Sequence, residues 1–207
     1  ILASNDVVLG GLIAGPVSVT ATNGTVSDGG DADLDLVADR ARLVAGNGIG
    51  AGDNALETSL GILAANAGTG GQFYLEQDDI TLGAVADISV NRIGTDGGVG
   101  SSEIDAALSD LVSEGSIVLR TVNGSITVAE GLAPVGGVVA HVGNILLEAE
   151  TTAANDKQIL VNAPISSVSG NISLVANGDV VQGPSGDLSV MMNGTLDVES
   201  VAGTIQM

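Results

Sequence analysis

The residues of this chain able to do chemistry are, above all, carboxylates. In Asp31-Ala32-Asp33-Leu34-Asp35-Leu36 acids alternate with apolar residues, so an extended strand carries Asp31, Asp33 and Asp35 on one face and Ala32, Leu34 and Leu36 on the other. Glu76, Asp78 and Asp79 form a second group. Such groups suit Ca²⁺, a hard cation that takes about six to eight oxygens. The first group lacks the Gly and distal Glu of an EF-hand, and no RTX-type nonapeptide is present. Calcium is therefore the one possible cofactor, set against the plainer reading of a solvated acidic face that keeps the protein in solution.

Other chemistry is sparse. The one histidine, His141, lies between Ala140 and Val142 and reads as an outward or hydrogen-bonded residue. Gly94-Thr95-Asp96-Gly97-Gly98-Val99-Gly100 is rich in glycine but lacks the following Lys and the strand–helix context of a phosphate loop. The five bases, Arg40, Arg42, Arg92, Arg120 and Lys157, are too few and too dispersed to line a groove for an acidic polysaccharide. A hydrolase would need two of the 25 acids at glycosidase spacing, and no motif singles out a pair. The expectation is a non-catalytic protein.

The composition fits that expectation. Acids outnumber bases to a net charge of −20, a field that repels nucleic acid and anionic lipid. A mean hydropathy of +0.44 argues against disorder, and no apolar run is long enough to insert in a membrane. There is no Cys and no Trp, with one Tyr and one Phe among 207 residues, so the core must be built from Ala, Val, Leu and Ile. From a start at Ile1 the expectation is a processed product or a segment of something longer.

The elements follow from a short phrase that keeps returning: Gly, a small polar residue, then apolar–polar–apolar. It reads Gly124-Ser125-Ile126-Thr127-Val128, Gly170-Asn171-Ile172-Ser173-Leu174 and Gly186-Asp187-Leu188-Ser189-Val190. Looser versions include Asp79-Ile80-Thr81-Leu82 and Asp87-Ile88-Ser89-Val90. The leading apolar residues Ile172, Val180, Leu188, Leu196 and Ile205 are spaced by 8, 8, 8 and 9. Alternation with a period of two makes each phrase a strand with one buried face. Asn-Gly pairs at Asn23, Asn47, Asn123, Asn177 and Asn193 supply turns that accept positive φ. Those pairs also suit antiparallel hairpins in a sandwich or barrel. The uniform aliphatic filling and missing rings favour a parallel β-helix, a β-solenoid whose narrow interior stacks one aliphatic rung on the next. The fold class expected is all-β, one solenoid domain over 1–207, with about eight to ten coils. One interruption is expected: Ile104, Ala107, Leu108, Leu111 and Val112 follow a helical stripe near 102–114, with Ser102 and Gly115 as caps.

The wording of Gly50–Thr58, Ala106–Leu111, Gly115–Thr127 and Gly143–Leu147 resembles the β-helical repeat regions of filamentous-haemagglutinin-like exoproteins and giant bacterial surface adhesins. The resemblance covers residues 31–198, without the Asn-Pro-Asn motifs of that family's secretion domain. It implies an extracellular or cell-surface structural rod. The second reading is a subunit of a self-assembling fibre, stacked through Ile1 and Leu2 at one end and Ile205 and Met207 at the other. Partners would then be neighbouring copies or neighbouring repeats, besides a host or matrix surface.

Overall fold

The apolar residues spaced eight or nine apart occupy successive sides of a three-sided coil. In the computed structural model, which describes residues 1–132, 136–150 and 157–207, Ile172 opens the strand Ile172–Ala176, Val180 opens Val180–Gln182 and Leu188 opens Leu188–Val190. Leu196 then lands on Ile172, and Ile205 on Val180, in parallel register one coil further on. Eight coils stack in this way into one sheet of 21 strands, all of whose inter-coil pairings are parallel. At ~4.8 Å per coil the stack is about 35–40 Å long. The described residues are all-β with no helix, a parallel β-helix as expected.

Each side is a ladder. In the later coils the first side holds Leu111–Ser113, Val138–Ala140, Ile165–Ser167 and Leu188–Val190. The second holds Ile117–Thr121, Ile145–Ala149, Ile172–Ala176 and Leu196–Ser200. The third holds Ile126–Val128, Ile159–Val161, Val180–Gln182 and Ile205–Gln206. In the early coils the long strands Leu12–Ala21, Leu36–Ala45 and Leu56–Ala67 each supply the third side of one coil and the first side of the next.

Inward residues form columns such as Tyr74, Leu119, Leu147, Leu174 and Val198, one per coil. The ring of Tyr74 corrects the expectation that this interior excludes rings, since it is only 1% exposed. Its hydroxyl donates to Gln72 Oε1 (3.1 Å), and Gln72 Nε2 donates to the Val112 carbonyl (2.7 Å), so the polar end of the ring is satisfied inside the coil.

The repeated phrase is explained at the corners. Its small polar residue reaches the coil above: Asn144 Oδ1 accepts from Asn171 N (2.8 Å), and Asn171 Oδ1 from Thr195 N (2.8 Å). Ser116 Oγ begins the same row by accepting from Asn144 N (3.1 Å). At the next corner Asp79 Oδ1 accepts from Ser125 N (2.7 Å), and Ser125 Oγ from Gln158 N (3.1 Å). The glycine before it is required by close approach: a Cβ on Gly143 or Gly170 would overlap the backbone of the coil beneath. Positive φ is a smaller matter than expected. Of the five asparagines in Asn-Gly pairs only Asn193 is left-handed, and none of their glycines is.

The helix expected near 102–114 does not form. Residues 84–109 instead make an antiparallel excursion between the fourth and fifth coils, in which Ile88–Ile93 pairs with Val99–Asp105 and Ala84–Val85 with Leu108–Ser109. Ile88 thus leaves the coil repeat that its spacing from Ile80 suggested. The residues of the helical stripe are divided among three environments. Leu111 enters the main core, Leu108 packs on a small cluster of Ala64, Val85 and Ile88, and Ile104 stays exposed. Ser102, read as a helix cap, bonds Ser89 across the hairpin (2.8 Å), and Asp110 is left-handed at φ 71°. Arg42 Nε fastens the excursion to the coils by donating to the Ala106 carbonyl (2.8 Å).

Candidate functional site

The acidic strand read from residues 31–36 is not a strand up to Asp35. Asp31 and Asp33 are exposed in a loop, where Asp31 Oδ1 accepts from Asp33 N (2.9 Å), while Asp35 is buried. The alternation fails because Gly29 and Gly30 open a loop, and the extended backbone resumes only at Leu36. Asp35 is brought instead to Asp28 and Glu57, with one carboxylate oxygen of each within 4.8 Å of the others.

Three elements build this group at the corner of coils two and three. Asp28 closes the strand Val26–Asp28, Asp35 immediately precedes Leu36–Ala45, and Glu57 is the second residue of Leu56–Ala67. Because Leu36 pairs with Thr58, Asp35 stacks beside Glu57: Asp35 N donates to the Glu57 carbonyl (2.9 Å), and Glu57 N to Asp35 Oδ2 (3.0 Å). Asp28 Oδ1 accepts from Gly30 N (2.8 Å). Asp28 is 5% exposed and Asp35 1%. Asp28 Oδ2, Asp35 Oδ1 and Glu57 Oε2 are buried without a hydrogen-bond partner among the described residues. Burial, with the neighbouring Asp28 and Glu57 charges adding to it, pushes the Asp35 carboxyl up to about 7. Chemically, the group can hold a hard cation or retain a proton. Asp28 and Glu57 were not singled out from sequence. The signal for Glu57 is the coil step, since adding the 22 residues that separate Leu36 from Thr58 to Asp35 gives Glu57.

No family model, curated protein or solved structure matches the chain.

The second acidic group also separates. Glu76 turns inside, accepting from Thr58 Oγ1 (2.7 Å) and Leu60 N (3.0 Å), and burial raises its carboxyl above the usual range. Asp78 and Asp79 stay outside, where Asp79 pairs with Lys157 (3.6 Å). These two join Asp39 and Ser59 along an open groove of about 600 Å³ on the third side. His141 is exposed, its Nδ1 2.8 Å from Glu114 Oε1. The bases serve structure: besides Arg42, Arg120 bonds Glu148 (3.2 Å) one coil above, and Arg92 lies 3.9 Å from Glu103 across the hairpin.

At the ends of the stack, Ile1 and Leu2 are 54% and 72% exposed, and Ile205 and Met207 48% and 60%. Ile1 and Leu2 border a pocket of about 320 Å³ with Val90, Arg92 and Ile104, so the excursion's hairpin reaches back along the stack to the first coil. The strands of the last coil, Leu188–Val190, Leu196–Ser200 and Ile205–Gln206, are paired on one edge.

Proposed function

We propose that this chain is a non-catalytic length of an extracellular β-solenoid rod, a stalk segment of a bacterial surface adhesin. The observation that supports the reading best is the stack itself: eight coils joined by three parallel ladders, aliphatic within and mostly polar and acidic without. Such a body keeps its ends a fixed distance apart, which is what a spacer must do. The surplus acids repel other rods and keep the surface in solution. No helix of the described residues is long and apolar enough to cross a membrane. Antibody labelling tests the reading: an antibody against this chain is expected to label intact source cells as strongly as permeabilised ones. Labelling only after permeabilisation would sink it.

A second reading, the self-assembling fibre subunit, is favoured by the one-sided pairing of the last coil and by exposed Leu196, Ile205 and Met207 beside it. Its partner is a second copy added end to end, a heterologous contact that propagates. Light scattering across a concentration series separates the two: growing mass with filaments supports the fibre, and a constant monomer mass leaves only the rod.

A further inference from the structure

We infer that Asp28, Asp35 and Glu57 bind one Ca²⁺ ion, which ties the corner of coil two to coil three. The inference goes beyond the rod reading and does not depend on it. Three carboxylates presenting oxygens within 4.8 Å of one another repel unless one of them keeps its proton or a cation stands among them, and only the cation reaches all three. Among the described residues no Lys, Arg or His forms an ion pair with any of the three. Arg40 is five residues beyond Asp35, about 16 Å along an extended strand at ~3.3 Å per residue, and its Nε is itself without a partner.

The burial is what separates this group from the rest of the acidic coat. Asp28 and Asp35 are 5% and 1% exposed, yet each keeps one oxygen that no donor among the described residues reaches, and so does Glu57. A buried carboxylate oxygen without a partner is costly, and a coordinated cation removes that cost at all three places at once. The Asp35 ligand is held in advance, since Glu57 N binds its far oxygen (3.0 Å) and leaves Oδ1 free to coordinate. Asp28 ends the strand Val26–Asp28 and is held where Gly30 N binds its Oδ1 (2.8 Å), which leaves Oδ2 to coordinate.

The donor set selects the ion. Oxygen-only carboxylate ligands favour hard cations over zinc or copper. Between the two common ones, Mg²⁺ demands a near-ideal octahedron and gives up its waters reluctantly, while Ca²⁺ accepts irregular oxygen sets at roughly 2.3–2.6 Å. A buried, loop-closed corner therefore suits Ca²⁺.

The test is titration calorimetry of the chelator-stripped full chain with CaCl₂, alongside thermal melts with and without the ion. One saturable site per chain and a raised melting temperature are expected, with Mg²⁺ binding at least about tenfold more weakly. Asp35→Asn and Glu57→Gln should each lose at least about tenfold in affinity, and the melting shift with it. The double substitution Asp31→Asn with Asp33→Asn, in the exposed loop, should leave both intact. Because Glu57 is only half-buried, Glu57→Gln keeps the test decisive should Asp35→Asn fail to fold. Absence of saturable Ca²⁺ binding in the wild-type chain would overturn the inference. So would binding that survives Glu57→Gln, or that disappears with the loop pair.

Discussion

Asp179 and Glu76 show how one side-chain type acquires opposite roles from its place in a coil. Asp179 is half-buried at a corner, and its Oδ1 accepts from Thr204 N (2.7 Å) and Thr204 Oγ1 (2.9 Å) in the next coil, which holds its carboxyl below the usual range. Its folded pKa is depressed, so its contribution is present above the unfolded value and is lost as pH falls through the folded one. Glu76 is buried, and its folded pKa is raised by burial. There the folded chain binds the proton more tightly, so stability falls as pH rises from the ordinary glutamate range, about 4.3, up to the folded value. Urea unfolding at a series of pH values checks both signs. Asp179→Asn should weaken the loss of stability in acid, and Glu76→Gln should remove a decline on the other side. Glycine gives a second prediction at this scale. Gly170→Ala places a Cβ against the Gly143 backbone and should cost about 2–4 kcal/mol in the same assay, whereas Gly97→Ala, with no neighbour near but a φ of 81°, should cost about 1–2 kcal/mol.

Among the elements, the coil strands were legible from sequence because their inward positions alternate strictly and recur at a fixed step, as Ile172, Val180 and Leu188 do. The excursion was not. Ile104, Leu108 and Leu111 lie at helical spacing, but the spacing carries no record that they face solvent, a side cluster and the main core in turn. The carboxylate site was half legible for a similar reason. Asp35 stood out beside Asp31 and Asp33, but its true neighbours are set by coil register and by a glycine loop, neither of which shows in a local alternation. The excursion is an addition to the stack, because Asp110 N bonds the Gly83 carbonyl (3.0 Å) and closes its base. Deleting residues 84–109 shortens the step from Ile80 to Ile126 from 46 residues to 20, close to the other coils. The deleted chain should retain its β-type circular dichroism and lose about 3–6 kcal/mol, the burial of Val85 and Ile88. Collapse of the fold on deletion would show that the hairpin organises the early coils.

At the scale of the whole molecule, each coil apart from the excursion pairs only with its neighbours, so stability is close to a sum of coil and interface contributions. Hydrogen exchange should therefore be slowest in interior strands such as Ile145–Ala149 and fastest in Leu196–Ser200, which is paired on one edge. The same one-dimensional order is what suits the stack to spanning a distance. The most direct test of the rod account is electron cryo-microscopy of the native protein isolated from its source cells. The account predicts coil stacks lying end on end along one axis, with a continuous ~4.8 Å repeat through this segment. A segment standing apart as a separate globule, off the axis of any rod, would contradict it.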